Sequence, residues 1–218
     1  MIGQDVKLIE YSKAVDKYNC ITHAVGAVLG VFGTVAIVIK ASDVRHFVSA
    51  LIYSITLVAV FTVSAVYHGL PQGEAKRIAR LIDHSTVPML IAGTATPCAM
   101  VSLYEVRPSL GITVAAIGWF CALFGLVSKL FFFEKLKAVT MAVYISSGVI
   151  MLSSVIPVAD EINMGAFWYL VAGCIVYLIG AIFCGLGVKK PWLHVVFHVF
   201  VFFGAAIHFL TIYNFIIC

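Results

Sequence analysis

The chain has 218 residues, of which 62% are hydrophobic and only 11% are charged, and its formal net charge is +4. A water-soluble globular domain has an apolar share nearer ~45–50%, so this composition excludes a soluble globule and predicts an all-α, polytopic integral membrane protein. The small positive charge is typical of short basic loops beside a membrane and does not require a nucleic-acid partner.

A polar leader precedes the first apolar run. Leu8, Tyr11, Val15 and Tyr18 recur at helical spacing, with lysines on the other faces. This pattern predicts a short helix over residues 1–18 that lies in the membrane interface. A disordered tail is the alternative interpretation.

Seven long apolar runs follow the leader. A membrane-spanning helix takes about 20 apolar residues, and the chain has such runs over residues 19–39, 47–68, 81–103, 110–128, 138–157, 166–187 and 192–217. The connectors are short, which predicts a single seven-helix membrane domain over residues 1–218. The six cysteines lie in or beside these runs without CxxC spacing, so we expect small core residues and no disulfide framework.

The distribution of basic residues predicts the orientation. The leader and the connectors after the second, fourth and sixth runs carry eleven of the fourteen basic residues: Lys7, Lys13, Lys17, Lys76, Arg77, Arg80, Lys129, Lys135, Lys137, Lys189 and Lys190. By the positive-inside rule, the N-terminus lies in the cytoplasm and Cys218 outside. We therefore expect a multi-pass protein of the inner (plasma) membrane.

Polar side chains cluster at the predicted cytoplasmic helix ends. The second helix ends at Ser64 and His68, the third begins near Asp83, and the seventh begins at His194 and His198. Ionisable groups at membrane depth are costly and usually face a cavity or one another. We therefore expect these five side chains to lie together.

The spacing of the histidines predicts a metal site. His194 and His198 lie one helical turn apart on one face, and with His68 they supply three imidazoles. Three protein ligands leave the fourth position of a tetrahedral zinc open, as in catalytic sites. Asp83 then binds the metal directly or holds a zinc-bound water, and Ser64, one turn deeper than His68, acts as a hydrogen-bond donor. The alternative is that these residues extend toward the lipid headgroups without binding a metal.

Four further histidines have less specific predictions. His23 and His84 lie at the same depth as the site, and we expect them to cap or line it, with further ligands or proton relays as the alternatives. His46 and His208 fall near the outer face and are expected to be interfacial.

A stripe of small residues on the first helix comprises Gly26, Gly30 and Gly33. Such a stripe predicts a face that packs closely against another helix, with dimerisation as the weaker alternative. The oligomeric state does not follow from the sequence.

The order Ser-x-x-x-His, Asp, His-x-x-x-His on seven helices resembles the haemolysin III branch of the progestin and adipoQ receptor family. Further matching phrases are Asn19-Cys-Ile-Thr-His-Ala-Val-Gly26, Asp83-His-Ser85 and Thr94-Ala-Thr-Pro97. The sequence departs from bacterial members at Asp16, where these usually have glutamate. The resemblance covers nearly the whole chain.

This resemblance implies specific roles for the site residues. It implies that His68, His194 and His198 bind zinc and that Asp83 approaches the metal through water. The arrangement is also similar to that of the alkaline ceramidases.

The predicted function is that of a zinc-binding membrane protein that hydrolyses, or senses, a lipid amide or ester in membrane homeostasis. The lipid enters sideways from the inner leaflet, because apolar helices enclose the site. Zinc held by histidines lowers the pKa of bound water to about 7, which makes hydrolysis feasible. The alternatives are a pore-forming, cytolytic or transport protein, and a haem-binding protein in which His68 and His198 ligate iron.

Overall fold

A computed structural model describes residues 6–217, so the predicted position of Cys218 lies outside the described residues. The described chain is all-helical. Its seven long helices are α1 (Lys13–Lys40), α2 (Val44–Gly69), α3 (Glu74–Val106), α4 (Pro108–Phe131), α5 (Lys137–Ser153), α6 (Met164–Gly187) and α7 (Trp192–Phe215). Each is long and apolar enough to cross a membrane, α5 together with the short segment that extends it to Val158. The prediction of a seven-helix membrane protein is confirmed.

The described part of the leader is only partly helical, whereas the sequence predicts a helix over residues 1–18. Residues 6–12 are non-helical, residues 1–5 lie outside the described part, and residues 13–18 form the first turns of α1. The Ser12 hydroxyl accepts a hydrogen bond from the backbone N–H of Val15 at 3.3 Å. This N-cap fixes the start of α1. The helix therefore begins at Lys13, although the helical spacing of apolar residues extends further back into the leader.

The third helix changes its geometry near its far end. A π-helical segment, Cys98–Leu103, directly follows Pro97. Proline lacks a backbone N–H and disturbs the regular hydrogen-bond ladder of a helix, and membrane helices accommodate this by local π or 3₁₀ adjustments.

The helices pack largely in chain order. Helix α1 packs along α2, α2 along α3, α3 along α4, and α6 along α7. Helix α1 also contacts α7, which brings the start of α7 beside α1 and α2. The main apolar core lies between these helices and includes Ile37, Tyr53, Phe61, Leu90 and Ile212.

The glycine stripe of α1 packs within the chain. A Cβ atom at Gly26 would lie 2.5 Å from the ring of Phe61, and one at Gly30 would lie 3.2 Å from Val58. At Gly33 a Cβ would lie 2.8 Å from a side chain of α7. The predicted close-packing face therefore serves α2 and α7 of the same chain.

At the end of the bundle opposite the leader, Asp43 caps the start of α2. Its carboxylate accepts a hydrogen bond from the backbone N–H of His46 at 2.8 Å. This bond, followed by the contact with the His46 ring, lowers the pKa of Asp43 below its usual value. His46 itself is only 6% exposed, and its Nδ1 lies 3.0 Å from the carboxylate of Asp43.

His208, which the sequence predicts to be interfacial, is buried in the helix bundle. The side chain is 4% exposed and lies between α6 and α7, where its Nε2 donates a hydrogen bond to the carbonyl of Leu170 at 3.1 Å. A Cβ at Gly173 would lie 2.2 Å from the ring. The absence of a side chain at Gly173 therefore makes room for the imidazole.

Candidate metal centre

Three histidines from two helices meet at the leader end of the bundle. His68 lies in the last turn of α2, and His194 and His198 lie in the first two turns of α7. One ring nitrogen from each lies within 4.8 Å of the others. Among residues 6–217 this is the one group of histidine, cysteine or acidic side chains with the geometry to hold a metal ion.

The donor set fits a divalent metal of the zinc type. Imidazole nitrogens bind zinc at about 2.0–2.1 Å in tetrahedral geometry, which separates two ligand nitrogens by about 3.4 Å. In the structure the three nitrogens lie within 4.8 Å of one another, which is of the same order as this separation. Within the described chain, the buried Nε2 of His68 and Nδ1 of His198 have no hydrogen-bond partner, so polar atoms of the group are available to an added ligand.

His194, the third candidate ligand, lies close to the end of α6. A Cβ at Gly187 would lie 3.0 Å from the backbone nitrogen of His194. Glycine at this position therefore lets the chain turn tightly from α6 into α7. The turn places His194 beside His68, with 5.6 Å between the ring centroids.

Asp16, in the first turn of α1, fixes the orientation of His68. The Nδ1 of His68 donates a hydrogen bond to the carboxylate of Asp16 at 2.9 Å. The amide nitrogen of Asn19 lies farther from this Nδ1, at 3.4 Å. Because the proton resides on Nδ1, the lone pair of Nε2 is free for a metal, as in the carboxylate–histidine–metal arrangement of many metal sites.

A buried lysine completes this part of the site. The Nζ of Lys76 donates hydrogen bonds to Asp16 at 2.8 Å and to the carbonyl of Leu70 at 3.0 Å. The Lys76 side chain is 1% exposed. The sequence did not predict these roles of Asp16 and Lys76. A signal was available, since an acidic residue near the start of a membrane helix requires a partner.

The two residues predicted to act in catalysis lie beside the histidine group and outside it. Ser64 is 3% exposed, one turn deeper in α2 than His68. The carboxylate of Asp83 lies 3.1 Å from Nδ1 of its neighbour His84, and it is within electrostatic range of His68 and His23. Asp83 is thus near the three histidines without joining the group whose nitrogens lie within 4.8 Å.

His23 lines the site, and His84 has partners of its own. The ring centroid of His23 lies 4.0 Å from that of His198. The ring of His84 contacts Asp83, the carbonyl of Arg80 at 3.1 Å and the ring of Phe133. Of the two histidines predicted to cap or line the site, His23 is the one in contact with a candidate ligand.

The leader covers the site from the outside of the bundle. The ring of Tyr11 stacks on His194, with 5.2 Å between centroids and 19° between planes. Burial in this position raises the pKa of Tyr11. Val6 is buried in an apolar cluster with Leu81 and Phe133, which anchors the beginning of the described leader. Sequence periodicity could not predict this role, because it depends on a contact with α7.

A cavity of about 180 Å³ lies at the opposite end of the bundle. Its lining includes Ser102 and Glu105 from α3, Met151 from α5 and Leu170 from α6. None of the three clustered histidines lines it. This cavity and the candidate metal centre are therefore separate features of the molecule.

Comparisons with known proteins place these features in a family context. A family profile described as "Haemolysin-III related" matches residues 11–209. The chain is 31% identical over 197 residues to Hemolysin-3 of Bacillus cereus, covering 89% of this chain and 88% of that protein. It is 32% identical over 197 residues to the Hemolysin-3 homolog of Bacillus subtilis (strain 168), covering 89% and 91%. It is 26% identical over 203 residues to the human Monocyte to macrophage differentiation factor, covering 91% and 83%.

Proposed function

Because the chain belongs to the haemolysin III-related family of membrane proteins, we propose that it binds zinc and hydrolyses a lipid amide or ester. The observation that carries this proposal is the group of three histidine nitrogens within 4.8 Å of one another. Three imidazoles leave one position of a tetrahedral zinc for a substrate or water, which is typical of catalytic sites.

The metal would be held by His68, His194 and His198. When bound, it would supply a Lewis acid that polarises an acyl carbonyl and activates water. The carboxylate of Asp83 would take a proton from the attacking water and return it to the departing amine or alcohol. Ser64 would donate a hydrogen bond to this carboxylate or to the water.

The proposed substrate is an acyl lipid from the leaflet that faces the leader end of the bundle. The leader lies across the aqueous side of the site through the contact of Tyr11 with His194. Apolar helices surround the site on its other sides, which favours a substrate that arrives through the membrane. With the N-terminus in the cytoplasm, as the basic residues predict, this leaflet is the inner one.

A small ion suits the site better than haem. The ring centroids of His68 and His198 are 4.9 Å apart, and His194 contacts both rings. A haem would have to place its flat macrocycle between two axial histidines. The third imidazole and the close approach of the rings disfavour this arrangement.

Metal analysis and a hydrolysis assay on the purified protein test the proposal together. We expect one equivalent of zinc per chain and metal-dependent release of a fatty acid from a long-chain amide or ester in detergent. Removal of zinc by a chelator should abolish release, and re-addition of zinc should restore it. Bound zinc without hydrolysis of any acyl lipid would leave sensing as the function of the site.

The relatives' names favour a second candidate, a lytic protein, since two of them are called Hemolysin-3 or its homolog. The two functions differ in what they release. A lytic protein releases a trapped dye from vesicles that lack any hydrolysable lipid, such as ether-linked phospholipids. A lipid hydrolase leaves such vesicles intact.

A further inference from the structure

His23 is a buried imidazole with unused hydrogen-bonding capacity. It lies on α1 and is 3% exposed, and neither of its ring nitrogens has a hydrogen-bond partner among residues 6–217. A neutral imidazole carries one N–H donor and one acceptor nitrogen. Buried polar groups are nearly always paired, and leaving both unpaired is costly. The residue therefore requires a partner that the described chain does not supply.

The position of His23 identifies where that partner lies. Its ring centroid is 4.0 Å from that of His198, and His68 and Asp83 are within electrostatic range. Asn19, one turn earlier on the same face of α1, also has a buried Oδ1 without a partner in the described chain. Unpaired polar atoms thus occur both on α1 and on the candidate ligands at this end of the bundle.

Close helix packing holds His23 in this position. The edge of its ring contacts Phe61 of α2, with 5.0 Å between centroids. Gly26, one turn further along α1, allows this approach, because a Cβ there would lie 2.5 Å from the Phe61 ring. A nonpolar ring would pack equally well against Phe61. Polar side chains at membrane depth are generally functional.

His23 is not one of the three ligands. Its nitrogens do not belong to the group that lies within 4.8 Å. His68, His194 and His198 already supply the three protein ligands of an open zinc site.

We propose that His23 is a positioning residue that hydrogen-bonds, through one ring nitrogen, the non-protein ligand in the fourth coordination position. This inference rests on the proposed metal centre and deepens it. It assigns to that position a ligand with a hydrogen-bonding oxygen or nitrogen, such as the carbonyl oxygen of an acyl lipid.

Cobalt-substituted full-length protein tests this role without any hydrolysis assay. Azide binds the open position of cobalt sites and changes their visible absorption, so a titration gives its dissociation constant. His23→Phe keeps a flat ring and removes both nitrogens. We expect one equivalent of cobalt to remain and azide to bind about 2- to 12-fold more weakly, as for the loss of one neutral hydrogen bond.

Two further variants make the result specific. His23→Gln retains a donor and an acceptor and should bind azide within about 2-fold of the unaltered protein. Phe61→Leu alters the packing around His23 without removing a polar atom and should leave azide affinity unchanged. Where the phenylalanine variant does not fold, His23→Leu, which is smaller and also lacks the nitrogens, replaces it.

The proposal fails if His23→Phe retains cobalt and binds azide as tightly as the unaltered protein. It also fails if Phe61→Leu weakens azide binding equally, since packing would then explain the effect. Complete loss of cobalt from His23→Phe would make His23 a direct ligand and would likewise overturn it. Absence of cobalt binding by the unaltered protein would instead reject the metal centre itself.

Discussion

At the scale of single residues, the structure places a carboxylate beside the three candidate metal ligands and outside their group. His194 is one of three candidate ligands, whereas Asp83 lies outside that group and pairs with His84. We expect His194→Ala to lose its zinc. Asp83→Asn should keep zinc and lose at least about 100-fold in hydrolysis, the lower end of what a positioned acid–base group contributes.

Metal content and hydrolysis rate are measured on the same preparations. Ser64→Ala should have a smaller effect than Asp83→Asn, because the hydroxyl acts through the carboxylate or the water. If Asp83→Asn loses zinc as completely as His194→Ala, the aspartate is a direct ligand. The open position would then be filled, and a structural metal site would replace the hydrolase.

Asp16 has two separable effects at this scale, one on the metal and one on stability. Its carboxylate orients His68 and pairs with the buried Lys76. We expect Asp16→Asn to weaken zinc binding by about 10- to 100-fold, as for other residues that orient a ligand. It should also destabilise the protein by about 3 kcal/mol, because the Lys76 charge stays buried without its partner.

The double variant Asp16→Asn/Lys76→Met distinguishes the two effects. Methionine fills similar space without a charge, so the melting temperature in detergent should recover. Zinc affinity, measured by competition with a chelator, should stay low. Recovery of both would show that Asp16 acts on the metal only through the stability of the bundle.

At the scale of elements, the leader covers the candidate metal centre. Residues 6–12 are not helical, yet Tyr11 stacks on His194 and Val6 packs beside Leu81. An aromatic pair contributes about 0.5–1.5 kcal/mol beyond its buried area. We therefore expect Tyr11→Ala to speed the removal of zinc by EDTA by roughly 2- to 12-fold.

Tyr11→Phe is the matched control, because it retains the stacked ring and loses only the hydroxyl. Its zinc should leave at nearly the unaltered rate. Equal rates for Tyr11→Ala and the unaltered protein would mean that the leader does not limit access from water. Fast loss from both variants would assign the effect to the hydroxyl.

At the scale of the whole molecule, the distribution of basic residues predicts the orientation in the membrane. Eleven of fourteen lie on the leader side, which the positive-inside rule places in the cytoplasm. Gln72 lies in the connector between α2 and α3, Asp160 lies between α5 and α6, and both are exposed. In a background without native cysteines, Asp160→Cys should react in intact cells with a membrane-impermeant thiol reagent, and Gln72→Cys should not.

Both cysteines should react once the cells are broken open, which controls for intrinsic reactivity. Labelling of Gln72→Cys alone in intact cells would invert the topology. The metal centre would then face the outer leaflet, and the proposed substrate would come from that leaflet.

The sequence by itself determined the membrane class, the seven helices and the three clustered histidines. These follow from local properties: the length of apolar runs, the i,i+4 spacing of His194 and His198, and the cost of a polar group such as His68 at membrane depth. Such signals need no knowledge of which helices are neighbours.

The tertiary structure alone decided which residues support that site. Asp16 contacts His68 across 52 positions of sequence, and Lys76 contacts Asp16 across 60. Tyr11 reaches His194 from a leader whose helical pattern is broken at Ser12, and His208 is buried because α6 has a glycine opposite it. Helical periodicity gives the face on which a side chain lies, but only the packing of the helices determines what that face meets.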